Sequence, residues 1–340
     1  MVIVGQEIID NIPVYLRDLR VREPILVVTG PNVFHIIANR IIELLKNEYN
    51  EVKYVIVKNA TINEANKVLE KSSTLRPQTV IGIGGGKSID IAKYVSSKIN
   101  AKFISVPTSA SHDGIASPFA SLKGSGRATS FRAVVPDAII ADVGLISKAP
   151  RRLLRAGVGD IIAKFTAVAD WKLGHKLRGE YYGEYAASLA LLSAKHIVSF
   201  IDEISRFSVE GIRVLVEALV SSGIAMCIAG STRPASGSEH LFSHALDMIA
   251  PKPALHGEQV GVGTIMMSYL HGMKWTRIKK VLKKVGAPTT ARELGIPSKY
   301  IVEALLLAPR IRPERYTILG EKGLTREAAI ELAKITGVIE

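Results

Sequence analysis

Four residues that lie far apart in the chain offer the side chains of a divalent metal site. Asp160 lies in GVGD, His240 and His244 lie in SGSEHLFSHALD, and His256 lies in ALHGEQVGVGT. His240 and His244 are four residues apart in a predicted helix, so both project from one face. A lone histidine is usually structural, but three beside a carboxylate indicate a metal. Nitrogen and carboxylate ligands without a thiolate suit Zn²⁺ or Fe²⁺, and the residue types alone do not distinguish these two metals.

A glycine-rich turn in VIGIGGGKSIDIAK, residues 80–93, offers a site for phosphate groups. Its glycines follow a predicted strand and open a predicted helix, where bare backbone and the helix N-terminus favour an anion. The turn fails the Walker pattern because Ile81 stands where that pattern needs its first glycine. It fails the Rossmann fingerprint because Lys87 stands where that fingerprint needs a glycine. It is therefore a different phosphate loop or only a tight turn.

A second loop, PTSASHDGIASP over residues 107–118, is rich in hydroxyl groups and small side chains. It follows a predicted strand, at the sheet edge where open α/β sheets bind ligands. Its polar residues His112 and Asp113 are candidates for contact with a ligand. The alternative is a surface loop built from turn residues.

Strand and helix patterns alternate in the first part of the chain, which predicts a parallel sheet covered on both faces. The predicted strands are 25–30, 53–59, 79–85, 102–109 and 133–142, and the predicted helices are 32–47, 62–75 and 88–99. Beyond residue 150 only helical periodicity remains, over 151–178, 183–205, 209–230, 237–249, 257–272, 275–286 and 325–336. We therefore predict an α/β dinucleotide-binding domain over 1–150 and a helical metal- and substrate-binding domain over 151–340.

The composition restricts the class of protein. The chain has 340 residues, of which 47% are hydrophobic and 22% charged, and a net charge of +13. Lysine and arginine are scattered, and their densest groups have helical spacing, which argues against nucleic-acid binding; an anionic substrate and cofactor fit the charge equally well. No run of 18 apolar residues predicts a membrane span, and no signal peptide is evident, which favours the cytoplasm. A homo-oligomer is expected for an enzyme of this size.

Five segments together resemble one superfamily, that of iron-containing alcohol dehydrogenase, glycerol dehydrogenase and dehydroquinate synthase. They match it in order and spacing: GGGKSIDIAK, PTSASHDGIASP, GVGDIIAKFTAVADWKL, RPASGSEHLFSHALD and LHGEQVGVGT. Within it the chain resembles the archaeal sn-glycerol-1-phosphate dehydrogenases. The resemblance implies a Rossmann-like N-terminal domain and an all-α C-terminal domain, with the active site in the cleft between them.

The resemblance also assigns roles to residues. It implies that Asp160, His240 and His256 bind the metal, one Zn²⁺ or Fe²⁺ per subunit. His244 then becomes a substrate contact rather than a ligand, and Asp113 and Asp160 also contact substrate. Asp113 and His244 are the expected catalytic residues. The residues expected to contact the dinucleotide are Gly86, Lys87, Ser88, Ile89, Asp90, Thr108, Ser109, Ala110, Ser111 and Ser117.

The reaction implied by the resemblance is the NAD(P)H-dependent, metal-assisted reduction of dihydroxyacetone phosphate to sn-glycerol 1-phosphate, the backbone of archaeal membrane lipids. An oxidoreductase of the same superfamily that acts on an unphosphorylated polyol is the first alternative. Dehydroquinate synthase fits the motifs less well. A basic nucleic-acid-binding protein with a degenerate enzyme fold is the alternative from another class, and the intact metal and glycine motifs argue against it.

Two finer expectations come from the residues themselves. The second predicted strand ends with Lys58 and Asn59, without the acidic residue that NAD-preferring sites usually place there, so NADPH should work at least as well as NADH. The substrate phosphate needs a cation, for which Lys164 and Arg233 are candidates. Each of these two is as readily explained as a surface cation or as a member of an ion pair.

Overall fold

The computed structural model describes residues 1–124 and 127–340, which form two compact units, Met1–Ala149 and Pro150–Glu340. The first unit contains the β-strands of the described chain, and the second is helical. The prediction of an α/β N-terminal part followed by an all-α C-terminal part is therefore confirmed.

The first unit is built on a six-stranded parallel sheet with the order β1-β8-β5-β4-β2-β3. Strands β2 and β4 are buried along their whole length because helices cover both faces, which explains their unbroken apolar sequences. An antiparallel hairpin, β6-β7, is the second sheet. The strands are β1 (Val2–Gly5), β2 (Ile25–Thr29), β3 (Val52–Ile56), β4 (Thr79–Gly84), β5 (Lys102–Pro107), β6 (Phe119–Gly124), β7 (Arg127–Arg132) and β8 (Ala138–Asp142).

All but the last of the helices in this unit connect successive strands of the parallel sheet. The helices are α1 (Ile12–Asp18), α2 (Pro31–Val33), α3 (Asn39–Lys46), α4 (Ile62–Leu75), α5 (Gly86–Ile99) and α6 (Val143–Ser147), with a π-helical turn over Phe34–Ala38 and 3-10 turns over Ile9–Asn11 and Asp113–Ile115. Apart from β1, the strand order is the 2-1-3-4-5 order of doubly wound nucleotide-binding folds, whose direction of winding reverses between β2 and β4. Ligands bind such sheets at the carboxyl ends of the strands at that reversal, where β4 runs into the glycine turn.

The second unit is a packed set of helices. They are α7 (Arg151–Ile162), α8 (Lys164–Arg178), α9 (Glu184–Ser199), α10 (Ile201–Arg206), α11 (Val209–Ala229), α12 (Ser238–Ile249), α13 (His256–Leu270), α14 (Trp275–Lys284), α15 (Ala291–Leu294), α16 (Ser298–Ile311) and α17 (Arg326–Ile335). Helix α13 packs against α7 and α12, and α12 packs against α16. Among the described residues, α11 alone is long and apolar enough to cross a membrane, and 56% of its most apolar window is buried inside the protein.

Several predicted elements were wrong in extent. The helix predicted over 151–178 is two helices that meet at Ala163, where the Thr166 hydroxyl donates to the Ala163 carbonyl at 3.0 Å. Such bonds compete with the backbone ladder and bend helices. The helix predicted over 183–205 divides at Phe200, whose φ of −108° leaves the helical range. The strand predicted over 133–142 begins at Ala138, after Pro136, which has no N–H to give to a ladder.

Several whole elements were not predicted, namely β1, the β6-β7 hairpin, the short helices α1, α6 and α15, and α16. Strand β1 is short and lies at the edge of the sheet beside β8. Helix α16 contains Pro309 near its end, a residue that usually argues against a helix interior.

Candidate metal centre

Three helices each bring one candidate ligand to a common point in the second unit. Asp160 lies in the last turn of α7, His240 in the first turn of α12, and His256 is the first residue of α13. Each side chain offers one ligand atom, and these atoms all lie within 4.8 Å of one another. Nε2 of His240 is 3.4 Å from Oδ1 of Asp160, and the rings of His240 and His256 are 5.0 Å apart at their centroids.

Helices α7 and α13 can approach this closely because glycines stand at their contact. A Cβ atom on Gly257 would lie 1.9 Å from the Ala156 carbonyl oxygen, and one on Gly159 would lie 2.1 Å from the Gly257 carbonyl oxygen. Both obstacles are backbone atoms, which cannot move aside as a side chain can. Gly159 precedes Asp160 and Gly257 follows His256, so the two glycines fix the spacing of two candidate ligands.

An ion pair fastens the same two helices. Both carboxylate oxygens of Glu258 accept hydrogen bonds from the Arg152 guanidinium at 2.7 Å. Oε2 of Glu258 also accepts from the Leu255 backbone N–H at 3.0 Å, which holds the start of α13. The position of His256 is therefore determined by contacts on both sides of it.

The second nitrogen of each histidine is held by a neighbouring side chain. Nδ1 of His240 is 2.7 Å from Oε1 of Glu239, and Nδ1 of His256 is 3.2 Å from the Ser243 hydroxyl. Nε2 is therefore the nitrogen left for a metal on each ring. Carboxylate and hydroxyl partners of this kind orient histidine ligands in metal sites. The donor set, two imidazole nitrogens and one carboxylate, fits Zn²⁺ or Fe²⁺.

Charges around Asp160 keep its carboxyl ionised. Burial alone raises the pKa of Asp160, but the positive charge of Lys164 and the hydrogen bond and charge of His240 reverse this, and the pKa falls well below its usual range. Burial likewise lowers the pKa of His240, but hydrogen bonds to Asp160 and Glu239 leave that pKa raised. A carboxylate that stays ionised when buried is a suitable metal ligand.

His244 lies one turn beyond His240 and outside the group of candidate ligands. Its ring stacks on that of His256, with centroids 5.7 Å apart, and its Nδ1 is buried without a hydrogen-bond partner in the described part of the chain. Burial lowers the pKa of His244 well below its ordinary value, and the charges of His256 and His240, and then those of Arg312 and Arg315, act in the same direction. The imidazole is therefore neutral at pH 7 and has an unused nitrogen.

Both cations proposed for the substrate phosphate are ion-paired. Nζ of Lys164 is fully buried and lies 3.3 Å from Oδ1 of Asp160. The Arg233 guanidinium donates twice to the Glu180 carboxylate, and its Nη2 donates to the Tyr316 carbonyl at 2.9 Å. Lys164 and Arg233 are therefore both members of ion pairs, which was the alternative to a role in binding phosphate.

In the first unit, the glycine turn lies beside the start of the loop 107–118. Gly84 has a φ of +148°, a conformation that favours glycine, and α5 begins at Gly86. The Gly84 carbonyl accepts from the Thr108 N–H at 2.9 Å, and the Ser109 hydroxyl would be 3.2 Å from a Cβ on Gly85. A Cβ on Gly86 would lie 1.9 Å from Nε2 of His112. Bare backbone and hydroxyl groups therefore meet at the carboxyl ends of β4 and β5.

The predicted dinucleotide contacts differ in exposure. Lys87 is exposed, Thr108 and Ser111 are half-buried, and the side chains of Ser88, Ile89, Asp90, Ser109, Ala110 and Ser117 are buried.

Lys93 is fully buried, donates to the Gly114 and Phe119 carbonyls, and lies with its Nζ 3.6 Å from Oδ1 of Asp90. Asp90 and Ser117 thus also belong to a buried network that holds the loop 107–118, and half-buried Asp113 begins a 3-10 turn of that loop.

The residues that support the site were not predicted from the sequence. Glu239 directly precedes His240, and that adjacency was the available signal. Ser243 and Asp170 had no recognisable signal in the sequence, because serine and aspartate occur in many helices. Asp170 is fully buried, and its Oδ2 accepts from the N–H and the hydroxyl of Ser238, both at 2.6 Å, at the start of α12. Arg312 and Arg315 were not distinguishable from the other arginines of a basic chain.

Comparison with protein families and curated proteins gives consistent matches. The family model described as iron-containing alcohol dehydrogenase matches residues 3–150. A glycerol-1-phosphate dehydrogenase (NAD(P)+) of Sulfurisphaera tokodaii is 57% identical over 339 residues, covering 100% of this chain and 96% of that protein. The protein of the same name from Aeropyrum pernix is also 57% identical, covering 99% and 96%.

Solved structures with low sequence identity share the fold. A probable glycerol dehydrogenase from Sinorhizobium meliloti 1021 is 22% identical with a TM-score of 0.81, covering 99% of this chain and 98% of that one. Glycerol dehydrogenase from Schizosaccharomyces pombe is 21% identical with a TM-score of 0.76, covering 100% and 92%. At this identity the likeness concerns the fold, whereas the full-length relatives establish the family. The predicted family is confirmed: the chain belongs to the glycerol-1-phosphate dehydrogenases within the iron-containing alcohol dehydrogenases.

Proposed function

We propose that the protein reduces dihydroxyacetone phosphate to sn-glycerol 1-phosphate with NAD(P)H and one bound divalent metal. The observation that carries the proposal is the convergence of Asp160, His240 and His256 in a chain that is 57% identical, over its full length, to a glycerol-1-phosphate dehydrogenase. The product would supply the glycerophosphate backbone of archaeal membrane lipids. Zn²⁺ is our first choice of metal and Fe²⁺ the second, since the donor set suits both.

When bound, the metal would supply Lewis-acid polarisation of the substrate C2 carbonyl, and the nicotinamide would supply the hydride. Asp160, His240 and His256 would hold the metal, while Glu239 and Ser243 keep both rings oriented through Nδ1. Nζ of Lys164 lies 3.3 Å from Oδ1 of Asp160, and its positive charge helps to keep that carboxylate ionised although it is buried away from solvent.

We assign the transfer of the proton to the substrate to His244. A neutral imidazole has one N–H and one lone pair, so it can take a proton from water and pass one to the C2 oxygen of the substrate. Its stacking on His256 and its unpartnered Nδ1 support this role. We assign substrate contact to Asp113 and Asp160 as well.

The dinucleotide would bind the first unit at the carboxyl ends of β2, β4 and β5. The topological reversal between β2 and β4 and the bare backbone at Gly84–Gly86 support this site. We keep the predicted contacts: Gly86, Lys87, Ser88, Ile89, Asp90, Thr108, Ser109, Ala110, Ser111 and Ser117. Those whose side chains are buried, such as Ile89, would contribute through their backbone.

Cofactor preference depends on the end of β3. Glu64 reaches this point from α4, but its carboxylate already accepts the backbone N–H groups of Lys58 and Asn59 at 2.5 and 2.7 Å. The side chains of Lys58 and Lys87 are exposed beside it. A 2′-phosphate would therefore meet two cations, and we expect NADPH to work at least as well as NADH.

Lys58→Asp tests this preference. We expect the ratio of kcat/KM for NADPH to that for NADH to fall about tenfold or more, because one cation is lost and an acid is gained. Lys53→Asp, at an exposed position within β3, is the control with the same charge change. An equal fall of the ratio in both variants would show that net charge, and not this site, sets the preference.

The reaction is tested by following NADPH oxidation with dihydroxyacetone phosphate and with dihydroxyacetone, before and after chelation and after zinc is restored. We expect reduction of the phosphorylated ketone only, dependent on metal, and a chiral assay of the product should give the sn-1 isomer. Faster reduction of dihydroxyacetone would instead indicate a polyol dehydrogenase. No reduction of either by metal-loaded protein would refute the assigned reaction.

We further propose that the protein is cytoplasmic, acts as a homo-oligomer and binds neither nucleic acid nor membrane as part of its function. Its substrate and cofactors are small water-soluble anions, which suits a basic protein. Light scattering measures the oligomeric state. Steeply salt-dependent DNA binding would contradict the second part of this proposal.

A further inference from the structure

We propose that Arg315, with Arg312 beside it, holds the phosphate group of the substrate. This inference rests on the proposed function, and it replaces Lys164 and Arg233, whose charges are paired with carboxylates, as the expected source of the positive charge that matches the phosphate. Both arginines lie on the segment 312–318 that follows α16, and both are half-buried.

The contacts of Arg315 leave its charge without a matching anion. Nη1 donates to the Ser236 carbonyl at 2.6 Å, and Nη2 donates to the Thr232 hydroxyl at 2.7 Å. Both acceptors are neutral, and over the described residues no carboxylate forms an ion pair with Arg315. Burial, with the charges of Arg312 and Arg233, lowers the pKa of Arg315 to about 9, although the charges of Glu180 and Glu239, which are bonded to other groups, act in the opposite direction. A cluster of this kind is stabilised by an anion.

The segment is fastened to the helix that carries two of the site histidines. Ser236 stands two residues before the start of α12. Oδ1 of Asp170 accepts from the Ile318 N–H at 2.7 Å, while Oδ2 of the same residue accepts from the Ser238 N–H at 2.6 Å. Arg315 is therefore tied directly to the start of α12, one turn from His240 and two turns from His244.

The other charges near this point are already paired. Lys164 pairs with Asp160, Arg233 with Glu180, and His240 with Glu239. The remaining carboxylate oxygen of Glu239 accepts from the Thr166 hydroxyl at 2.6 Å. The charge of Arg315 is thus additional to these pairs, and a phosphate dianion is the part of the substrate that can match it.

Two buried nitrogen atoms nearby also lack partners among the described residues, namely Nη1 of Arg233 and Nδ1 of His244. Arg233 is 3% exposed and touches the segment through the Tyr316 carbonyl. An unsatisfied buried donor costs free energy, and phosphate offers several acceptor oxygens. A guanidinium matches phosphate geometry with two parallel donors, which a lysine cannot do.

The test compares Arg315→Gln and Arg312→Gln with Arg310→Gln, an exposed arginine at the end of α16. We expect the ratio of kcat/KM for dihydroxyacetone phosphate to that for dihydroxyacetone to fall about ten- to a hundredfold in Arg315→Gln. The change should appear mainly in KM for the phosphorylated ketone, with a smaller fall in Arg312→Gln and none in Arg310→Gln. Arg315→Lys should recover part of the loss.

A purely structural role of Arg315 would lower the activity with both ketones in parallel and leave the ratio unchanged, and that outcome would overturn the inference. Inorganic phosphate supplies a readout independent of turnover. It should raise the Tm of the wild-type protein by mass action and raise that of Arg315→Gln much less. If the wild type does not prefer the phosphorylated ketone, the proposed function fails. Equal stabilisation of both proteins by phosphate would then refute the phosphate site separately.

Discussion

His256→Ala should remove the bound metal and lower kcat by about a thousandfold or more. Loss of metal-assisted charge stabilisation costs several kcal/mol, and each 1.4 kcal/mol is a factor of ten in rate. His256 stands at the first residue of α13, in the helical unit, whereas the glycine turn belongs to the α/β unit. NADPH binding should therefore remain. Elemental analysis, steady-state kinetics and NADPH fluorescence measure the three quantities on the same preparation.

His196→Ala is the matched control, because His196 is a partly exposed histidine of the same unit that contacts Phe200 and no candidate ligand. It should keep both metal and activity. Unchanged turnover in His256→Ala, with its metal content measured, would refute the assignment of the metal site. Loss of NADPH binding together with metal would show instead that the substitution unfolds the protein.

Gly257→Ala should disable the enzyme without changing any side chain that binds metal. Its Cβ atom would lie 1.9 Å from the Ala156 carbonyl oxygen, so α7 and α13 must separate. Overpacking of this kind costs about 1–3 kcal/mol, which corresponds to a fall in Tm of roughly 2–8 °C for a unit of this size. Displacing His256 from Asp160 by about 1 Å should also lower kcat about a hundredfold. Thermal denaturation and kinetics test the two effects.

Gly261→Ala, one turn further along α13, is the control. A Cβ atom there would lie 3.4 Å from Cα of Gly159 and 3.5 Å from Cδ2 of Leu282, which is ordinary contact. Because alanine has the higher helix propensity, the Tm should stay constant or rise slightly. A similar loss in both variants would show that any added methyl group on this helix is harmful. A wild-type-like Gly257→Ala would show that the two helices can separate at little cost.

Many of the helices and strands could be predicted from the local periodicity of apolar residues. Helix α4 was predicted with its bounds, and strands β2, β4 and β5 to within two residues, because each is a short run of one periodicity bounded by turn residues. The prediction of a purely helical second part also holds for the described residues. The family rested on motif order, which no single segment could have provided. The failures include Ala163 and Phe200, where a helix bends without a breaker residue, and the unpredicted β1, β6-β7 hairpin and α16.

The sequence by itself determined the candidate ligands, since Asp160, His240, His244 and His256 were selected from motifs and the family resemblance reduced them to Asp160, His240 and His256 before any contact was known. It could not determine which groups surround them, because those contacts join residues up to about 150 positions apart, such as Asp170 and Ile318. Only the tertiary structure paired Lys164 with Asp160 and Arg233 with Glu180, and left Arg315 with neutral partners. An arginine has the same charge everywhere in a sequence. Whether that charge is already matched depends on the distances to the carboxylates around it, and folding alone sets those distances.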